Sequence, residues 1–233
     1  MTSPKRQKIS SFSSRFRECK NTYRLFLRAT YLIINKVSYI NLYLMYRHQD
    51  IFEDYKNFLE TLASTGSSKL FTNGGKEYAS ILMSVLLDYT NSIARIFSYG
   101  FRPNLVLAPK YKEALERFLT TPHKELRVMV ESDIAVKDEP IRMLQEAYQN
   151  GNKLVSLKLI TSEDKEEIIN QLGGGHRNFA IFDNNKYRME YDPEDFKAFG
   201  SFNDTGICTR LTTLFDNAFD RATSLLPQIP IST

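Results

Sequence analysis

The chain has no tryptophan, only two cysteines and only three histidines among its 233 residues. Two cysteines as far apart as Cys19 and Cys208 exclude a disulfide framework and any C-x-x-C metal or redox site, which makes a reducing cytoplasm the expected location. Three histidines leave few places for imidazole chemistry. His48 and His123 stand in polar surroundings without chemically useful companions, so only His176 is left as a candidate. Long apolar runs are missing too. The densest apolar segment, residues 22 to 46, is interrupted by Arg24, Arg28 and Lys36, and its longest uncharged stretch, Val37 to Tyr46, is about half of the roughly 20 residues needed to cross a bilayer. It is read as a long helix, continuing through Ile51 to Leu62, buried against the body or a second subunit; an interfacial membrane helix with a basic face is the alternative. The polar, basic start has no signal-peptide core.

What the chain does have is an uneven distribution of charge. Residues 1 to 50 hold ten Lys or Arg against two Asp or Glu, so a net charge of +4 conceals a basic arm on a mildly acidic body. Lys5, Arg6, Lys8, Arg15 and Arg17 of that arm suit a polyanionic partner such as nucleic acid, and an anionic membrane surface is the second choice. The bland reading is a solvated tail. The resulting division is a basic arm at 1–20, a helical extension at 21–66 and a main domain at 74–225, with the Gly, Ser, Thr and Asn of residues 64–75 as the boundary.

From residue 76 onward helix and strand patterns take turns. Helices are expected at 76–89, 111–119, 140–149, 162–171 (with Ser162 as N-cap) and 205–222, and strands at 92–99, 126–131, 153–160, 177–182, 187–191 and 196–201. This is an α/β pattern: a mixed, largely parallel sheet flanked by helices, made partly antiparallel by the last hairpin.

The chemistry-bearing residues fall between His176 and Asp204. His176, Asn178 and Asp183 form H-x-N-x4-D, and Gly200-Ser201-Phe202-Asn203 follows. This resembles the phospholipase D superfamily, whose signature is H-x-K-x4-D followed by G-S-x-N. The departure is Asn178 in place of the lysine, and the gap between Asp183 and Gly200 is longer than usual. The resemblance implies a single phospholipase D-like half-domain that needs no metal or other cofactor. It makes His176 the nucleophile on phosphorus and puts Ser201 and Asn203 around the same phosphate. Asp183 would support the partner histidine or hold the sheet together.

Residues two apart on a strand share a face, so His176 and Asn178 are expected to point one way and Arg177 the other. An asparagine donates through its amide but carries no charge for the transition state. Lys186, Arg188 and Lys197 are the candidate replacement cations. The triple glycine before His176 precedes a strand and is read as a turn, not a phosphate loop. The carboxylates Glu190, Asp192, Glu194 and Asp195 surround Pro193 and are read as a turn, not a metal site.

Family active sites are built from two motif copies, and this chain has one. The resemblance therefore implies a homodimer in which His176 meets its symmetry mate. Three functions follow: a binding module for nucleic acid or another phosphate-bearing partner with catalysis weak or lost, an active metal-independent phosphodiesterase or nuclease, or an assembly unit in a defence or DNA-processing complex. For His176 the plain alternative is a satisfied histidine opening a strand.

Overall fold

The computed structural model describes residues 50–131, 138–175 and 177–226. The described residues from Phe52 onward form one compact unit. Helix α1, described from residue 50, runs to 64, and it is followed by strand β1 (Leu70–Asn73), α2 (Lys76–Asp88), β2 (Ile93–Ser98), α3 (Pro103–Val106), α4 (Pro109–Thr120) and β3 (Glu125–Val130). Then come α5 (Glu139–Gln149), β4 (Val155–Leu159), α6 (Ser162–Gln171), β5 (Phe179–Phe182), β6 (Lys186–Asp192), β7 (Lys197–Ser201), α7 (Thr205–Arg221) and β8 (Thr223–Ser224).

The strands form a single mixed sheet in the order β1-β7-β6-β5-β2-β3-β4-β8. Parallel pairing is confined to β2, β3 and β4; the β5-β6-β7 meander, with β1 and β8 at the edges, is antiparallel. Helices cover both faces, as the alternating pattern predicts. On one face Ala94, Ile96, Leu126, Val128, Ala180 and Phe182 pack with α1, α2, α4 and α5; on the other Phe97, Met129, Phe179, Ile181 and Tyr187 pack with α6 and α7. Neighbouring residues of one strand thus enter different cores, as the two-residue strand period requires.

The helices follow their apolar spacing. In α4 the buried residues Tyr111, Ala114, Leu115, Phe118 and Leu119 recur on one stripe. In α2 every residue from Ala79 to Leu87 is buried, as befits a helix enclosed by neighbours on all sides.

Two departures from expectation concern the ends of elements. The Gly- and Ser-rich boundary contains β1, which pairs with β7 through Phe71↔Gly200. Leu59 and Leu62, by contrast, are buried in the main core, as expected of a helix packed against the body. The N-cap of α6 is Thr161, not Ser162: its hydroxyl accepts from the Asp164 amide at 3.1 Å. Among the described residues no helix is long and apolar enough to cross a membrane.

Candidate functional site

The β5-β6-β7 meander carries most of the residues singled out by sequence, and its two ends are built differently. At one end Asn178 directly precedes β5 and extends the ladder, its carbonyl accepting from the Glu190 amide at 2.8 Å. Its side chain clasps two strands at once. Oδ1 accepts from the Tyr99 amide just past β2 (2.9 Å), and Nδ2 donates to Glu190 Oε2 on β6 (2.6 Å). A lysine could supply the donor but has no acceptor for Tyr99, which gives Asn at this position a structural reason of its own. Arg177 lies against Met189 on the opposite face, so the alternation across residues 177 and 178 is the expected one.

Glu190 is the centre of this end. Its side chain is only 2% exposed. Oε1 accepts from Arg188 Nη1 (2.9 Å), and Oε2 accepts from Arg102 Nη2 (2.8 Å) as well as from Asn178. A carboxylate this deep is tolerated because two guanidiniums and an amide satisfy it. Each guanidinium has further anchors. Arg188 donates to Asn73 Oδ1 (3.3 Å) and to the Phe196 carbonyl (3.1 Å). Arg102 donates to the Pro193 carbonyl and lies over the Phe196 ring, 4.2 Å from its centre.

Above this network opens a cleft of about 630 Å³ lined by Tyr99, Arg102, Asn104, Asn178, Pro193, Glu194 and Phe196. It lies beyond the carboxyl end of β2, walled by the segment that follows β2, by the start of β5 and by the β6–β7 connection. Beneath it, burial pushes the Tyr111 phenol well above its ordinary range, so that group stays neutral.

The other end of the meander is a turn. Asp183 and Asn184 both adopt positive φ (55° and 73°), which Asp and Asn tolerate better than most residues, and the Asn185 amide donates to the Phe182 carbonyl within a three-residue connection, since Phe182 pairs with Lys186. The Asp183 carboxylate then collects the start of β2: it accepts from the amides of Asn91 (2.7 Å) and Ser92 (2.8 Å), from the Ser92 hydroxyl (2.9 Å) and from Lys186 Nζ (2.9 Å). Burial pushes its pKa up, but these donors and the Lys186 charge outweigh it and bring the value down to about 2.

The structure does not bring the two halves of the sequence pattern together. Ser201 pairs with Tyr187, three residues or about 10 Å along β6 from Glu190. It stands on the α7-facing side of the sheet, away from Asn178, because Tyr187 and Asn178 belong to opposite faces. Its hydroxyl is fully buried and accepts from the Asn203 amide, while Asn203 Nδ2 donates to the Gly66 carbonyl at 2.9 Å. Ser201 and Asn203, expected with Asn178 around one phosphate, thus lie at the other end of the meander from Asn178, because β6 intervenes between β5 and β7 and the long gap after Asp183 is the length of that strand. Gly200 has a packing role, since a Cβ there would stand 2.0 Å from the Tyr187 carbonyl oxygen and 2.6 Å from the Phe71 ring.

Of the candidate cations, Arg188 joins the Asn178 end. Lys186 belongs to Asp183, and Lys197 pairs with Asp192 and Asp195 on the surface. His176 and the arm residues Lys5, Arg6, Lys8, Arg15 and Arg17 lie outside the described residues. Sequence reasoning missed Arg102 and Glu190. The available signal was the alternation of Lys186, Arg188 and Glu190 along one face of a strand whose other face is apolar.

No protein-family model matches the chain and no curated protein matches it. Among solved structures it is similar to TrmBL2, an archaeal chromatin protein with a novel mode of DNA binding, at 11% identity over 97% of this chain and 77% of that one (TM-score 0.49). It is also similar to Nuc from Salmonella typhimurium, a phospholipase D family member, at 10% identity over 68% of this chain and all of the other (TM-score 0.46). NucT from Helicobacter pylori gives 14% identity over 67% and 99% of the two chains (TM-score 0.46). The likeness is one of fold.

Proposed function

We propose that the chain is a binding module of phospholipase D-like fold that holds nucleic acid or another phosphate-bearing partner as a homodimer, with phosphodiester hydrolysis weak or lost. The observation that carries this reading is the carboxylate of Glu190. Phosphoryl chemistry needs cationic donors aimed at the non-bridging oxygens, and at this cleft the donors of Arg102, Arg188 and Asn178 converge on an internal anion. Replacing the motif lysine by Asn178 removes a further charge, and a lost electrostatic donor costs on the order of 10²- to 10³-fold in rate. Binding then falls to the rim of the cleft and to the basic arm. A single motif copy in the chain supports the homodimer.

The test is a titration of fluorescent single-stranded DNA with EDTA present, followed by analysis of the DNA for cleavage. The expected result is salt-dependent binding with no cleavage by wild type or His176→Ala. Changing Lys5, Arg6, Lys8, Arg15 and Arg17 to Gln lowers the salt slope by up to about 3.5 if all five meet phosphates. EDTA-resistant cleavage that disappears in His176→Ala would establish the phosphodiesterase instead. A light-scattering mass of one chain at binding concentrations would remove the dimer.

A further inference from the structure

The geometry points to a latent oxyanion site at the floor of the Tyr99–Phe196 cleft, with the carboxylate of Glu190 as its built-in occupant. The inference deepens the binding reading above but rests on a separate observation: the donors around Glu190 are held in place by groups other than Glu190. Arg188 is fixed by Asn73 Oδ1 and the Phe196 carbonyl, Arg102 by the Pro193 carbonyl and the Phe196 ring, and Asn178 Oδ1 by the Tyr99 amide. Removing the carboxylate leaves two guanidiniums and one amide aimed at a common point. That donor set is suited to a tetrahedral or planar oxyanion, because guanidinium forks match phosphate and carboxylate geometry.

Access also fits. Arg102 and Asn178 line both the open cleft and the small cavity of about 40 Å³ around Arg188 and Glu190, so the point where the donors meet lies just under the cleft. The Arg102 side chain is 24% exposed while that of Glu190 is 2% exposed. Glu190 thus closes a site that the cleft would otherwise present to a ligand. The ligand class is a phosphate oxyanion, either free phosphate or a phosphodiester.

The experiment is thermal unfolding of wild type, Glu190→Ala and Glu190→Ser in inorganic phosphate or in dimethyl phosphate, with chloride at matched ionic strength. Wild type is expected to respond to phosphate no more than to chloride. Glu190→Ala should melt about 10 °C lower, because the buried Arg188 and the partly exposed Arg102 lose their partner. Phosphate at a hundredfold excess over its Kd should then restore roughly 5–10 °C. A shift with phosphate alone marks a site for the free ion, and a shift with dimethyl phosphate as well marks one open to a diester. Should Glu190→Ala fail to fold, Glu190→Ser, which vacates the space of the carboxylate while its hydroxyl can still accept a hydrogen bond, decides the matter by line broadening of the phosphate ³¹P resonance. Variants that respond to phosphate only as they do to chloride would overturn the inference. That result is independent of whether wild type binds single-stranded DNA, so the two readings can fail separately.

Discussion

The two ends of the β5-β6-β7 meander use the same kinds of residue for different ends. At the Asp183 end one carboxylate gathers backbone amides and a hydroxyl from the segment leading into β2 and a single lysine from the start of β6. At the Glu190 end the carboxylate gathers side chains from three separate segments, and an open cleft lies directly above. Carboxylates that satisfy backbone hold a fold together; carboxylates that satisfy convergent cations under a cleft sit where ligands bind. The residues matching the family pattern are divided between these two environments.

That contrast can be broken from either side. The largest effect is expected from Glu190→Ala, at about 3–5 kcal/mol of stability by denaturant unfolding, since the buried Arg188 and the partly exposed Arg102 lose their counter-ion. Gly200→Ala follows at about 3 kcal/mol, because the new Cβ meets backbone as well as a ring and β6 and β7 must separate. An unaltered fold with lost ligand binding in that variant would mean that the glycine serves the site and not the sheet.

Asp183→Asn comes next. Its carboxyl has a depressed pKa, so its contribution is present above the unfolded value near 3.8 and is lost as pH falls through about 2. The shift corresponds to about 2 kcal/mol. Wild type should lose that amount between pH 5 and pH 2 in unfolding experiments, and Asp183→Asn, which keeps the left-handed backbone, should lack that part of the pH dependence. The smallest effect belongs to Asn203→Ala, about 1 kcal/mol for the bond to Gly66, with ligand binding unchanged.

Much of the fold was legible because the elements obey their periods. The spacing of Tyr111, Ala114, Leu115, Phe118 and Leu119 announces α4, and the alternation of Ile93 to Ser98 announces β2. Strand β1 was hidden because only Phe71 and Asn73 of its four residues face inward, within a stretch rich in turn formers. Thr161 lost its place to Ser162 because two hydroxyl residues stand side by side and only the backbone tells which one caps. The site was less legible. Asp183-Asn184 serves a hairpin turn as well as a motif, and the sequence cannot distinguish the two uses. Glu190 stands in a run of acids around Pro193 that reads as solvated, and nothing in the local pattern reveals that Arg102, some 90 residues earlier, makes its burial affordable.

The central claim is that ligand contact belongs to the Asn178–Glu190 end of the meander and that Asp183, Ser201 and Asn203 are scaffold. Amide chemical shifts of the ¹⁵N-labelled protein, followed during titration with single-stranded DNA, test it directly. The account predicts that Tyr99, Arg102, Asn104, Asn178 and Phe196 move while Asn91, Ser92, Asp183, Ser201 and Asn203 stay in place. Comparable movement of Ser201 and Asn203, with Tyr99 and Asn178 unmoved, would contradict it.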